Sequence, residues 1–406
     1  MNQIKIGSRE HKLIMISMII GSIVSFAIMY SPQPLISLFA DEYHVSPSLA
    51  SSSVCLTTIA LGFGLLFVAI LSNSWGRKKT MGLSLVSTSL LAILSAFGHN
   101  FYVFLFIRFL EGISIAGFPS TAIAYLNEEF SPANIGQVIG AYVAGTAIGG
   151  FTGRVVVGAM TDLSSWHTAL LILGVISLIG SLWFWIYLPE SKNTHRVSFS
   201  LKYWQLNVLG CFRDKNLVSV YALGFLLMGT YVTILNYIGF PLTKPPYNLS
   251  QTIFGFLFVV NLVGTGSSVW FGKLADRYPR QNIISLAFII LFAGTLLTLH
   301  KLLIIKILGL TLVAFGFFAG HAVASGWIGL LAPHKHRAQA SSFYLLFYYA
   351  GSSLIGLSGG LFLNYFGWSG VTGYVCFLSI IAICVALQAT STDEFLPKSV
   401  ASNFNA

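Results

Sequence analysis

Twelve apolar runs punctuate the chain, at residues 13–39, 48–72, 80–98, 101–126, 134–160, 167–188, 216–240, 251–272, 281–299, 303–331, 338–364 and 369–389. Each is close to the roughly 20 residues that carry a helix across a bilayer. None alternates apolar and polar positions, and each is about twice the ~10 residues of a barrel strand. The pattern predicts an all-α membrane protein with twelve transmembrane helices. The longest polar stretch, "PESKNTHRVSFSLKYWQLNVLGCFRDKN", separates the sixth run from the seventh. It predicts two six-helix bundles, at 1–189 and 216–406, joined by a linker at 190–215. Part of that linker, "SFSLKYWQL", has the character of a short helix lying on the membrane surface.

Composition agrees. The chain is 55% hydrophobic and 8% charged, against roughly 25% charged in soluble domains. A soluble fold of this size would lack the polar surface to stay in solution. The net charge of +10 would suit a nucleic-acid partner, but its placement excludes one. Of the 22 Lys and Arg, only Arg108 and Arg154 lie well inside apolar runs, and only Lys244, Lys301 and Lys306 lie on one side of the alternation. The rest share a side with the N-terminus, so the positive-inside rule puts both termini in the cytoplasm. The first run is too long for a signal-peptide core and reads as an uncleaved first span. The four cysteines form no disulfide or metal framework. No Gly-x-x-x-x-Gly-Lys-Ser/Thr loop is present, so no nucleotide drives the protein directly. No nucleophile–base pair is apparent, and neither an enzyme nor a cofactor nor a metal is expected.

The halves repeat. "FGKLADRYPR" (271–280) echoes "AILSNSWGRKK" (69–79), with Leu71 matching Leu274, Asn73 matching Asp276 and Arg77 matching Arg280 at an offset of 203 residues. "GTAIGGFTGR" in the fifth run resembles "GSSLIGLSGG" in the eleventh, pairing Gly145 with Gly351, Gly150 with Gly356 and Gly153 with Gly359. Parallel repeats are a transporter architecture, and small residues let helices approach closely in lipid.

On these residues the chain resembles the major facilitator superfamily. The loop "GKLADRYPR" is similar to its Gly-x-Leu-Ala-Asp-Arg-x-Gly-Arg signature, with Pro279 in place of Gly. The earlier copy departs further, with Ala69, Asn73 and Ser74 at signature positions. Arg108 and Gly112 in the fourth run match the family's Arg-bearing signature. Gly145, Gly149 and Gly150 resemble the antiporter signature of the fifth, with Thr146 replacing its Pro. "YSPQPL", "NYIGFPL" and "YLLFYYAGSSLIG" look closest to bacterial inner-membrane exporters of the arabinose- or drug-efflux type. The resemblance implies a monomeric secondary transporter of the bacterial inner membrane that works by alternating access. It also implies proton-coupled efflux of a sugar-like or drug-like solute. A uniporter or proton-coupled importer would share this fold; a membrane sensor is the more distant alternative.

The resemblance places the first, fourth, seventh and tenth spans around a central cavity. Tyr30, Gln33, Asn236 and Tyr237 then become substrate contacts, with Tyr348 in the eleventh span as a further candidate. Pro32 and Pro34 should break the first helix there. Tyr30 and Tyr237 equally suit an interfacial aromatic belt. The repeated loop (Asn73, Gly76 and Arg77; Asp276, Arg277 and Arg280) is expected to gate the cytoplasmic side. Asp276 would cap the start of the fifth span near Ser131, and Asn73 that of the eleventh near Arg337.

Three ionisable residues sit deep in spans, where a charge costs roughly 2.5–3.5 kcal/mol or more. Arg108 and Glu111 share a helix face. Arg154 should lie at similar depth, so the three could form one buried cluster. That cluster would either fix packing or let Glu111 carry a proton. His321 in the tenth span is either a proton relay or a packed core histidine. Asp41, Glu42, Glu128, Glu129 and Asp162, at helix ends, read as solvated.

Overall fold

A computed structural model describes residues 4, 7–131, 135–191, 211–333 and 337–389. Among them every regular element is helical. The helices are α1 (Arg9–Tyr30), α2 (Ile36–Glu42), α3 (Pro47–Trp75), α4 (Arg77–Ser95), α5 (Phe101–Ile115), α6 (Gly117–Glu129), α7 (Ile135–Leu163) and α8 (Trp166–Tyr187). They continue as α9 (Lys215–Tyr237), α10 (Gly239–Thr243), α11 (Gln251–Leu257), α12 (Val260–Ala275), α13 (Arg280–Leu297), α14 (Leu303–Leu331) and α15 (Arg337–Gln388). The stretch "SFSLKYWQL", expected on the membrane surface, and most of the linker lie outside the described residues.

Local chemistry sets the ends of these helices. Ser8, Asn100, Ser165, Asp214 and Ser250 each accept a bond from a first-turn backbone N–H, satisfying donors that a helix start leaves free. α1 stops at Tyr30, and Gln33–Leu35 form a 3-10 turn before α2. Pro32 and Pro34 lack the N–H that would continue the ladder. α15 counts 52 residues, but Gly367 has φ 62 and ψ −157. An unbroken helix of that length would reach about 78 Å, far beyond the ~30 Å hydrocarbon core. Gly367 is where the chain turns back.

Among the described residues ten segments are long and apolar enough to cross a membrane, counting Gln339–Gln388 as one. Their loops gather on two faces. At the far face Tyr43 Oη donates to Gly98 O (3.2 Å), Trp166 Nε1 to the Glu42 carboxylate (2.9 and 3.0 Å) and Trp368 Nε1 to Thr298 O (3.2 Å). At the near face Arg77 pairs with Glu128 (2.7 Å) and Tyr125 Oη donates to Pro189 O (3.1 Å). Buried apolar residues form two clusters. One runs from Ile4 to Leu188; the other is built mainly from residues 211–389.

The matched glycines permit close helix contact. A Cβ on Gly145, Gly149 or Gly153 would come within 2.5–2.8 Å of α1 at Ser22, Ile23 or Ala27. On Gly351 it would lie 2.0 Å from Phe225 O of α9, and on Gly359 2.4 Å from Thr233. Gly112 lies equally tight against Thr57 O of α3. Gly150 and Gly356 differ from these, facing the Arg154 side chain and Cys55 Sγ. Gly76, between α3 and α4, has φ 91 and ψ 150 with open space around it. Only glycine adopts that conformation readily. Gly76→Ala should therefore destabilise the protein by about 1–3 kcal/mol without a steric clash. Thermal unfolding in detergent would register this as a lower midpoint, and an unchanged midpoint would refute the strain argument.

Candidate functional site

The three deep charges do not form one cluster. Arg108 and Glu111, both fully buried on α5, pair directly through Nη1 and Oε2. Arg108 also donates from Nε to Ser53 O (2.8 Å), from Nη1 to Ile28 O (3.2 Å) and from Nη2 to Met29 O (2.8 Å). It thus ties α5 to carbonyls of α1 and α3. Ile28 and Met29 lie in the last turn of α1, where Pro32 has no N–H to offer Ile28 O, so this arginine supplies donors that the helix end lacks. Glu111 Oε1 is buried with no partner among the described residues.

Arg154 sits apart, because α7 presents it to the end of α1. Its Nε and Nη2 both donate to Gln33 Oε1 (2.8 and 2.6 Å), and Nη1 donates to Gly150 O. The guanidinium lies 4.5 Å from the Tyr30 ring centroid and 4.6 Å from that of Phe258, within cation–π range of both. Gln33 Nε2 donates in turn to Asn236 Oδ1 (2.7 Å). Gln33 and Asn236 are 203 residues apart, the offset of the repeated loop. Asp41 and Lys244, paired at 3.0 Å on the far face, have the same separation. Both contacts thus join positions separated by the offset of the repeated loop.

A polar seam follows from there toward the far face. Tyr237 is fully buried and donates to Gly356 O (2.7 Å) while bonding Ser51 Oγ (2.8 Å). This excludes Tyr237 from an interfacial belt and from an open cavity wall. Thr58 and Ser353 hydroxyls meet at 2.9 Å, and Ser48 Oγ donates to Leu357 O (3.0 Å). Asp162, at the end of α7, accepts from Gln251 N (3.1 Å), Thr252 N (2.7 Å) and Thr252 Oγ1 (2.6 Å) at the start of α11. The hydrogen bonds that join described residues of the chain's two halves all lie at this end. Beyond them a cleft of about 470 Å³, lined by residues including Ser37, Asp41, Thr243, Lys244 and Gln251, opens on the far face.

The acids at helix ends are engaged rather than merely solvated, a correction to their sequence reading. Asp162 caps α11, Glu42 holds Trp166, Glu128 holds Arg77, Asp41 holds Lys244 and the buried Glu129 accepts from Ser191 Oγ (2.7 Å). Each partner lies at least 51 residues away in the chain, so no local pattern could show it.

His321 belongs to an aromatic stack on α9, α14 and α15. Its Nδ1 bonds Tyr344 Oη (2.9 Å), and its ring lies 4.8 Å from Tyr348 and 6.1 Å from Phe317. Phe317 stacks on Tyr231 at 3.8 Å, and Tyr231 Oη donates to Asn261 Oδ1 (2.8 Å). The sequence reading did not single out Tyr231, because its partner Asn261 lies 30 residues away on another helix and leaves no local mark.

On the near face the two loop copies behave differently. Arg77 is buried and holds Glu128 with Nε (3.3 Å) and Nη2 (2.7 Å), tethering α4 to α6. Asp276 is 73% exposed at its side chain and pairs with Arg280 of its own loop at 3.5 Å. It does not cap the start of α7 in this structure. Arg277 is exposed. The Asn73 side chain and Pro132 lie outside the described residues, so the Asn73 contact near Arg337 does too.

A family model for the Major Facilitator Superfamily matches residues 18–320 and 238–403. The chain is 42% identical over 383 residues to the "Uncharacterized MFS-type transporter YybF" of Bacillus subtilis, covering 94% of this chain and 95% of that one. It is 36% identical over 385 residues to the "Inner membrane transport protein YnfM" of Escherichia coli, covering 95% and 92%. In structure it resembles a bacterial homolog of the human lysosomal transporter Spinster, in an inward-facing and occupied conformation. The TM-score is 0.75 at 14% identity, over 94% and 97% of the two chains. The polypeptide is a multi-pass membrane protein of transporter type, not an enzyme. It belongs to the major facilitator superfamily.

Proposed function

We propose that this protein is a secondary transporter of the bacterial plasma membrane that exports a small organic solute, sugar-like or drug-like, against an inward flow of protons. Twelve spans support it: the ten apolar segments, with Gln339–Gln388 counted twice across Gly367, plus α4. They form two bundles of six, at 1–189 and 216–406, with both termini cytoplasmic. The observation that carries the reading is the hydrogen-bonded seam that joins the chain's two halves at the far end. The Gln33–Asn236 pair, the Tyr237 bonds and the Asp162 cap seal the far, outer end, while Asp276 stands free of a cross-bundle cap. In this reading the outer end is the closed one and the cytoplasmic end is where solute enters. In the opposite state Asp276 and Asn73 take up their helix-capping positions on the cytoplasmic side.

Glu111 is the proton carrier in this reading, supported by its buried, unpartnered Oε1. Everted vesicles energised by respiration test it. A drug and sugar panel should accumulate only while the proton gradient stands, and Glu111→Gln should abolish the dependence on the gradient. Solute movement that ignores the gradient in the unaltered protein would instead establish a facilitative carrier. The tight pairing of Glu111 with Arg108 favours that second reading.

A further inference from the structure

The interior carries a positive charge that the chain itself does not balance. Of the 12 acidic residues, only Glu111 lies in the middle of a span, and Arg108 holds it. Arg154 is 4% exposed, and among the described residues no carboxylate pairs with it. Its partners are neutral: a glutamine oxygen, a backbone carbonyl and two ring faces. Burying a cation without a counter-charge is costly, and such a residue marks a site whose charge is completed from outside.

The geometry says what would complete it. Nε and Nη2 converge on one oxygen of Gln33, the seat that a carboxylate oxygen takes in a bidentate arginine pair. The three bonds use three of the five guanidinium N–H groups, leaving one on each terminal nitrogen. The Tyr30 and Phe258 rings both lie within cation–π range of the guanidinium. Tyr30 is half-buried and so borders accessible space. The site therefore offers an in-plane anion seat beside two aromatic rings.

We propose that Arg154 anchors a carboxylate on an aromatic substrate. The claim rests on the transporter reading and narrows its substrate class to organic anions. Gln33 holds the seat until the substrate's carboxylate displaces it or joins it on the free N–H groups. Gln33 also bonds Asn236 across the two halves, so the same displacement loosens the seam that closes the far side.

The test uses the purified full-length protein with benzoate, phenylacetate and indole-3-acetate, each beside its primary amide. The acids should raise the melting temperature and enter proteoliposomes, and the amides should do at least tenfold less of both. Arg154→Gln should remove the difference. Should that variant misfold, Gln33→Glu decides the matter. It places a carboxylate on the Nε/Nη2 edge, where Asn236 can turn its amide to donate. It should raise the melting temperature without ligand and weaken the response to the acids at least tenfold. Equal response to acids and amides, response to neither, or a Gln33→Glu protein of lower melting temperature that still responds would each overturn the proposal. Export of neutral drugs alongside indifference to the acids would leave the transporter reading intact and remove only this one.

Discussion

Replacing Arg108 by leucine will destabilise the folded protein by about 3–5 kcal/mol, the usual consequence of stranding one member of a buried ion pair. The substitution leaves Glu111 wholly buried without a partner on either oxygen. It also removes the donors that hold Ser53, Ile28 and Met29 carbonyls against α5. Interhelical hydrogen bonds within a bilayer are individually modest, about 0.6 kcal/mol on average, so the stranded charge dominates. The double variant Arg108→Leu/Glu111→Leu should therefore recover much of the loss. Thermal unfolding in detergent separates the outcomes. A single variant that melts with the unaltered protein, or a double variant less stable than the single, contradicts this account. The result also bears on mechanism. An arginine bound to three carbonyls is a fixed strut, and any proton traffic at Glu111 takes place beside it.

Asp162→Ala will weaken closure of the far face about tenfold. The carboxylate accepts two backbone N–H groups and a hydroxyl from the start of α11. Hydrogen bonds to a charged group contribute roughly 1.5–3 kcal/mol each when buried. Asp162 is exposed, so screening reduces the sum to about 1–2 kcal/mol. A difference of about 1.4 kcal/mol shifts a two-state population tenfold. Asp41 and Lys244 lie 3.0 Å apart on the same face and supply the reporter. Cysteines placed at both positions, in a background lacking the four native cysteines, should cross-link about tenfold more slowly when Asp162 is alanine. An unchanged rate would mean that the Gln33–Asn236 seam closes this face without the cap. By the same argument Asp276→Asn acts on the opposite state, because here Asp276 pairs only weakly with its neighbour Arg280.

The spans were legible in the order of residues to within a few positions. Twenty apolar residues in a row have few alternatives in lipid, where every backbone group must be bonded within its own helix. The breaks were legible too: Pro32 and Pro34 interrupt the first span because proline brings no N–H. The glycine repeats announced close packing, and Gly145, Gly153, Gly351 and Gly359 all meet a neighbouring helix backbone or side chain at short range. The deep charges were found as individuals, and their grouping was misjudged. Depth along a helix follows from counting residues at 1.5 Å each, but azimuth and neighbours do not. Arg154 therefore turned to Gln33 and Tyr30 rather than to Glu111.

Helices, their breaks and the internal repeats are consequences of local rules: hydrophobic length, proline and glycine geometry, and loop and glycine motifs that recur about 203 and 206 residues on. The partners are not. Gln33 with Asn236, Asp162 with Thr252, Tyr237 with Gly356 and Arg77 with Glu128 lie between 51 and 203 residues apart. Each pairing exists because two helices meet at one rotation and one register, which side-chain packing over their full length sets. For that reason the membrane class and the transporter family can be read from the chain alone. The seam that joins the two halves at the far end, and the arginine that no described carboxylate pairs with, emerge only when the helices are assembled.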